Sequence, residues 1–180
     1  INNKKLNFSE KQKFFIFYKK EFILREKINN LNTYLKKKFK ENKDFLICGS
    51  YIRKNKFSND IDIIVHENCK KDILENIKNY YNDKKIIELY KLSNLSKKQS
   101  FIFPTYKIQI DIVFFNNNNF PFMKLYFTGS KNFNIQIRLI AKQKGYKLTQ
   151  YNLEGYKKKI KNESDIFKAL QIDYIEPFKR

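Results

Sequence analysis

Three aspartates stand where they could bind divalent cations. Asp60 and Asp62 lie two positions apart in a run, 59–66, that predicts a β-strand, so both side chains project to one face. Asp111 lies in a second strand-like run, 106–115. If the two strands are adjacent, the carboxylates raise one another's pKa unless a cation neutralises them. Hard ions such as Mg²⁺ or Mn²⁺ suit such oxygen ligands, and a pair of them supports phosphoryl transfer.

An Asp-x-Asp pair by itself is a weak signal, since two charges on the exposed face of an edge strand give the same pattern. A second motif lies upstream, where an apolar run ends in Gly49 and Ser50 and is followed by Arg53. A strand that leads into a short helix presents free backbone N–H groups to phosphate oxygens, and Arg53 could add a bidentate contact. The alternative is an ordinary turn in which Ser50 caps the helix.

Hydrophobic periodicity predicts the elements that position these residues. The predicted strands are 44–48, 59–66, 84–92, 100–103 and 106–115. The predicted helices are 9–40, as one or two helices, 70–81, 130–144 and 164–170. Ser130 is a candidate N-cap, and Gly145 follows the end of its helix. Strands interleaved with helices and followed by a meander suggest a mixed sheet with helices on one face, in an α+β or α/β fold.

A polar tract, 116–119, followed by Pro121 is the clearest break in the pattern. It predicts a boundary between a catalytic domain, 44–119, and a C-terminal domain, 120–180.

The composition favours an anionic partner. The chain has 38 Lys and Arg against 18 Asp and Glu, a formal charge of +20 in 180 residues, and such a field attracts phosphate backbones. Lys greatly outnumbers Arg, and Asn and Ile are abundant, so compositional bias of an A+T-rich genome is an alternative source of the excess charge. No apolar run reaches the length of a membrane span, and two cysteines make neither a disulfide framework nor a zinc site.

From about Asp44 to Arg180 the chain resembles family X DNA polymerases, the group that includes polymerase beta, and in particular its compact viral members. The Phe-Thr-Gly-Ser block and the closing Tyr-x-x-Pro-x-x-Arg are the most specific parts of the resemblance. The segments that carry it are Gly49-Ser50-Tyr51-Ile52-Arg53, Asn59-Asp60-Ile61-Asp62, Ile110-Asp111-Ile112, Tyr126-Phe127-Thr128-Gly129-Ser130, Asn134, Arg138, Gly145-Tyr146-Lys147-Leu148, Tyr151 and Tyr174-Ile175-Glu176-Pro177-Phe178-Lys179-Arg180.

The resemblance implies a nucleotidyltransferase palm, α+β with a mixed sheet, followed by a small C-terminal domain that binds the nucleotide and the nascent base pair. Asp60 and Asp62 would bridge two Mg²⁺ ions, with Mn²⁺ as the alternative, and Asp111 would bind the ion that activates the primer 3′-hydroxyl. No glycine precedes Gly49, so the glycine-containing DNA-binding motif of larger relatives is missing and no lyase domain of the usual kind is expected. The resemblance to compact viral members instead implies that residues 1–43 form a helical extension packed on the palm.

The resemblance also implies which residues bind the nucleotide. Gly49, Ser50 and Arg53 would hold the β and γ phosphates. Asn59, where several relatives have glycine, belongs to the same nucleotide-binding set.

The resemblance also implies nucleotide-binding residues in the C-terminal part of the chain. Tyr126, Phe127 and Gly129 would line the sugar and base, with the tyrosine and phenylalanine crowding the position of a ribose 2′-hydroxyl. Asn134 would join the nucleotide-binding set. Asn134 and Arg138, one helical turn apart, would reach the minor-groove edge of the nascent pair, where Arg138 would contact DNA.

The function predicted from the sequence is DNA-directed synthesis on a primer 3′ end, with gap filling in DNA repair as the expected role. The expected partners are a gapped primer-template duplex and deoxynucleoside triphosphates, with no membrane, and the protein is expected to be a monomer. One alternative is a template-independent nucleotidyltransferase, such as a terminal transferase or an RNA-tailing enzyme. Another is a non-catalytic basic module that binds nucleic acid.

Overall fold

The structure is a computed structural model that describes residue 12, residues 21–90 and residues 98–180. Parts of two predicted elements, residues 9–11 and 13–20 of the first helix and residues 91–92 of the third strand, lie outside the described residues. No helix in the described part of the chain is long and apolar enough to cross a bilayer.

The described chain alternates short strands with helices. The strands are β1 (Ile23–Leu24), β2 (Phe45–Ile47), β3 (Phe57–Ser58), β4 (Ile61–His66), β5 (Ile87–Tyr90), β6 (Lys98–Phe103), β7 (Ile108–Phe115), β8 (Lys147–Leu148) and β9 (Leu153–Glu154). The helices are α1 (Arg25–Lys36), α2 (Gly49–Ile52), α3 (Lys70–Tyr81), α4 (Phe120–Thr128), α5 (Lys131–Gln143) and α6 (Glu163–Ala169). Single 3₁₀ turns are formed by Glu67–Cys69, Pro104–Tyr106 and Pro177–Lys179.

The largest sheet among the described residues is mixed. Its strand order is β2-β4-β7-β6-β5. Strands β4 and β7 are parallel, whereas the other neighbouring pairs are antiparallel. The predicted mixed sheet is therefore confirmed, and the two strands that carry the aspartates are adjacent.

The two faces of this sheet have different roles. Ile63 of β4 and Ile112 of β7 belong to a buried cluster that also contains apolar residues of α1 and α3. Asp62 and Asp111 alternate with these isoleucines and lie on the opposite face. Helix α4 covers the far part of that opposite face, where Met123 packs in a second cluster. The sheet thus has helices on both faces, and the prediction of helices on one face is wrong because the segment around the proline forms a helix rather than a break.

The C-terminal part has its own apolar core. Its members, from α4 onward, are Phe122, Leu125, Phe133, Ile137, Ala141, Leu148, Leu153, Ile166, Phe167, Ala169 and Leu170. Helix α4 contributes to this core and to the sheet cluster, and so joins the two. Ser130 caps α5 by accepting a hydrogen bond from the Phe133 N–H, and Gly145 has a φ of 77° just past the end of the helix, as predicted.

A short strand interrupts the helical segment predicted over 9–40. Residues 23–24 form a strand paired with β3, and α1 begins at Arg25. Phe22 and Leu24, at this interruption, are 71% and 44% exposed, whereas Ile28 in α1 is buried. The strand pairing with 57–58 overrides the helical pattern because it satisfies backbone groups at this edge.

Candidate active site

The sheet brings two of the three aspartates side by side. In the parallel pairing of β4 with β7, Asp62 is the register partner of Asp111. Adjacent strands lie about 4.8 Å apart, so the two side chains start from neighbouring positions on one face. Asp60 stands one residue before β4, two positions from Asp62 and on the same side.

The three carboxylates act on one another electrostatically. Burial raises the pKa of Asp62 to about 6, and repulsion from Asp60 and Asp111 adds to that shift. A nearby cation would lower the pKa of Asp62 again, because a cation stabilises the ionised carboxylate.

Asp111 is held by two neighbours. Lys98 Nζ lies 2.7 Å from Asp111 Oδ2, and the Gln109 amide donates a hydrogen bond of 3.0 Å to Oδ1. Burial alone would raise the pKa of Asp111, but these hydrogen bonds outweigh it, and the pKa lies below its ordinary value. Asp111 is therefore ionised and has a partner on each oxygen.

The three aspartates have the donor chemistry of a metal site, although they are not assembled into one. Among the residues that the structure describes, no three His, Cys, Asp or Glu side chains are arranged to hold a metal ion as they stand. The donor chemistry nevertheless fits a hard divalent cation. All three side chains offer carboxylate oxygens, and burial together with their mutual repulsion raises the pKa of Asp62.

The turn after β2 is built against Asp62. The Cys48 N–H donates to the backbone carbonyl of Asp62 over 2.8 Å, which ties the turn to β4. Gly49 follows with a φ of 60°, and a Cβ there would lie 2.3 Å from Asp62 Oδ2. Ser50 donates its hydroxyl to the Ser58 hydroxyl over 2.6 Å. Only glycine allows this close approach of backbone to carboxylate.

A cleft of about 290 Å³ gathers most of the residues that the sequence singled out. Its lining residues are Gly49, Ser50, Arg53, Asn59, Asp60, Asp62, Tyr126, Phe127, Gly129 and Asn134. Of the predicted site residues, Asp111 and Arg138 do not line it. Asp111 lies beside Asp62 in the sheet, and Arg138 lines a neighbouring depression next to the β8–β9 hairpin.

Arg53 links the two sides of this cleft. Its Nη1 donates to the backbone carbonyls of Thr128, at 3.3 Å, and Gly129, at 3.1 Å. Burial lowers the pKa of Arg53 from its ordinary value, although the guanidinium stays charged at neutral pH. The predicted phosphate-binding arginine thus contacts the turn between α4 and α5.

The C-terminal wall of the cleft is tightly packed. The Asn134 amide donates to the Tyr126 carbonyl over 2.8 Å. The guanidinium of Arg138 lies 5.0 Å from the centre of the Tyr126 ring, a cation–π distance. A Cβ on Gly129 would lie 2.5 Å from the Phe133 ring, so this position also requires glycine.

The closing residues of the chain brace the same turn. Arg180 donates to the Thr128 hydroxyl over 2.6 Å and forms an ion pair with Glu163, and both ionic side chains are at least 95% buried. Tyr174 donates its hydroxyl to the other Glu163 oxygen over 3.1 Å. Thr128 is therefore held through its carbonyl by Arg53 and through its hydroxyl by Arg180.

Comparison with known proteins identifies the family of the chain. The family model described as DNA polymerase beta thumb matches residues 123–180. A repair DNA polymerase X of African swine fever virus, from a Malawi isolate, is 30% identical over 146 residues, which cover 77% of this chain and 82% of that protein. The chain belongs to the family X DNA polymerases.

Two further relatives of this polymerase are longer proteins. The DNA polymerase/3′-5′ exonuclease PolX of Bacillus subtilis is 26% identical over 137 residues, 74% of this chain and 23% of that protein. DNA polymerase IV of Saccharomyces cerevisiae is 43% identical over 61 residues, 30% of this chain and 10% of that protein. Members of the family are DNA-directed DNA polymerases, a class of nucleotidyltransferase, and generally use divalent metal ions.

Two contacts near the candidate site are not predicted by the sequence. Lys98 precedes the predicted start of β6 at Ser100, and the polar run 98–100 carries no strand pattern, so its contact with Asp111 follows only from strand pairing. Glu163 also precedes its predicted helix. Its burial follows from the contact with Arg180, which no local pattern indicates.

Proposed function

We propose that this polymerase adds deoxynucleotides to a primer 3′ end under the direction of a template, and that its role is to fill short gaps in DNA repair. The observation that carries the proposal is the cleft in which Asp60 and Asp62 face the Gly49 turn and the Tyr126–Gly129 segment. Acidic groups and a phosphate-binding turn on one side, and a sugar-binding wall on the other, are what nucleotidyl transfer requires.

The proposed architecture assigns each part of the chain a task. Residues 44–119 form the palm, and residues 120–180 form a C-terminal domain that binds the nucleotide and the nascent pair. The described residues 21–43, which belong to the predicted extension 1–43, would pack on the palm through α1. The buried contacts of α1 with the sheet and the separate C-terminal core support this division.

Asp60, Asp62 and Asp111 would hold two Mg²⁺ ions. Bound divalent ions lower the pKa of an attacking hydroxyl and stabilise the charge on the leaving oxygen. The chain's own contribution is to fix the carboxylates: strand pairing sets Asp62 beside Asp111, and the Gly49 turn limits where the Asp62 carboxylate can lie.

The other residues bind and orient the nucleotide. Gly49, Ser50 and Arg53 would hold the β and γ phosphates, so that the primer 3′ oxygen attacks the α phosphorus as pyrophosphate leaves. Arg53 would exchange its carbonyl partners for phosphate oxygens, which form stronger charge-assisted hydrogen bonds. Tyr126 and Phe127, whose rings pack edge to face at 4.9 Å, would exclude a ribose 2′-hydroxyl.

DNA would be held mainly by lysines. Clusters at 36–38, 142–147 and 157–161 supply positive charge outside the cleft. Arg138 would contact the minor groove of the nascent pair. Phosphate contacts of this kind position the duplex without reading its sequence.

The test is primer extension by the purified protein, with Mg²⁺ and the four deoxynucleotides. A duplex with a one-nucleotide gap is compared with the same primer lacking its template. Addition of the complementary nucleotide on the gapped duplex alone is the expected result. Tailing of the single strand would instead indicate a template-independent transferase, and no addition on either substrate would favour an RNA substrate or a binding module.

A matched pair of variants tests the site. Asp111→Ala should abolish extension while DNA binding stays intact or strengthens, because a carboxylate that repels phosphate is removed. Asp83→Ala is the control, since Asp83 is another buried carboxylate of the sheet region, 6% exposed, whose partners are Thr105 and Lys85 outside the cleft. Equal activity of the two variants would contradict the mechanism.

A further inference from the structure

Lys98 lies on the carboxylate face of the sheet. It is the first residue of β6, and its register partner on β7 is Val113. Residues of an antiparallel strand that are diagonal to each other share a face and lie within reach of long side chains. Lys98 therefore extends diagonally to Asp111, which it contacts at 2.7 Å, while 48% of its side chain stays exposed.

The ammonium group acts on more than one carboxylate. It is the partner of Asp111 Oδ2, and its charge also lowers the pKa of Asp62 against the larger effects of burial and repulsion. Gln109 occupies the other oxygen of Asp111. The cationic position beside the carboxylates is thus taken by a side chain of the protein itself.

We propose that Lys98 is a positioning residue that neutralises Asp111 when no divalent cation is bound, and that it competes with the cation for that carboxylate. The inference rests on the proposed role of Asp111 as a metal ligand. Lys98 can leave without unfolding the sheet, because its ammonium is on a flexible, half-exposed stem.

The protein without DNA or nucleotide should respond to loss of this lysine in two ways. Removing the lysine removes a competitor, so the first divalent cation should bind more tightly. Removing it also takes a positive charge away from the carboxylates, so the metal-free protein should be less stable. Added divalent cation should restore the lost stability.

The experiment compares Lys98→Met with Lys107→Met in the full chain. Lys107 is the matched control, since its side chain is 46% exposed and its ion pair is with Glu21, outside the cleft. Free Mn²⁺ is followed by electron paramagnetic resonance during titration of each protein, with no DNA or nucleotide present. Lys98→Met should lower the Mn²⁺ dissociation constant about three-fold, the scale of one exposed ion pair, and Lys107→Met should leave it unchanged.

Thermal unfolding gives the second measurement. In EDTA, Lys98→Met should melt below wild type, and saturating Mn²⁺ should remove the difference. An unchanged or weaker Mn²⁺ affinity in Lys98→Met would overturn the role of Lys98. Primer extension by the wild-type protein, measured in parallel, tests the polymerase function separately. If wild type is active but Mn²⁺ binding is unaltered in Lys98→Met, only the inference about Lys98 is contradicted.

Discussion

Replacing Gly49 by alanine should separate backbone strain from damage to the site. Gly49 has a φ of 60°, and a Cβ there would lie 2.3 Å from Asp62 Oδ2. An ordinary contact of this kind is 3.4 Å or more, so the carboxylate must move by about 1 Å. Misplacement of a reacting group by about 1 Å can reduce the rate about 100-fold. The expected result for Gly49→Ala is a loss of extension on that scale.

Gly145→Ala is the control for strain. Gly145 also has a left-handed backbone, with a φ of 77°, but a Cβ there meets no atom within 4 Å. Both variants should lose about 1 to 2 kcal/mol of unfolding free energy, the usual cost of a left-handed alanine. Only Gly49→Ala should lose activity beyond what stability explains.

The assay pairs urea unfolding with kcat/KM for insertion into a one-nucleotide gap. Activity of Gly49→Ala equal to that of Gly145→Ala would refute the argument that the turn limits the position of Asp62. Equal and large activity losses in both variants would also refute it, because Gly145 lies outside the cleft.

Three further predictions concern charge. The pKa of Asp62 is raised from 3.8 to about 6, so ionising it destabilises the fold as pH rises through that interval. In EDTA near neutral pH, Asp62→Asn should exceed wild type in unfolding free energy by about 3 kcal/mol, and urea unfolding at a pH below this interval should show no difference between the two proteins. Arg180→Met leaves Glu163 as an unpaired buried carboxylate and should cost about 3 to 5 kcal/mol; the double variant with Glu163→Gln should melt higher than Arg180→Met alone, and equal melting temperatures would count against the buried pair. Affinity for gapped DNA should fall steeply between low and physiological salt; a flat fluorescence-anisotropy series would argue against lysine contacts to phosphate.

The sequence is most informative where short motifs combine special backbone geometry with charge. Gly49 and Ser50 after an apolar run, and Asp60 and Asp62 on one face of a strand, can be assigned to neighbouring places from the residues alone. Local patterns are sufficient for these assignments because the conformation of each motif depends mainly on its own residues. The position of Asp111 beside Asp62 depends on which strands pair. The sequence predicts that the two carboxylates are close only if their strands are adjacent, and it does not show that they are.

Contacts that join distant parts of the chain cannot be predicted in this way. The helical segment predicted over 9–40 is interrupted at Ile23–Leu24, because pairing with 57–58 takes these two residues into a strand. Helix α4 is not predicted, since Pro121 indicates a break in the local pattern, whereas proline is well tolerated in the first turn of a helix. Lys98 carries no local signal because its place in the site follows from cross-strand pairing rather than from any pattern around it.

The parallel pairing of β4 with β7 has a consequence for divergence. The spacing between the backbones of Asp62 and Asp111 is set by main-chain hydrogen bonds, which are the same for every amino acid. Drift in composition toward lysine, asparagine and isoleucine can therefore replace most neighbouring side chains without altering the separation of these two carboxylates. The separation of these two backbones therefore does not depend on the surrounding core side chains, and only replacement of Asp62 or Asp111 themselves would remove this pair of carboxylates.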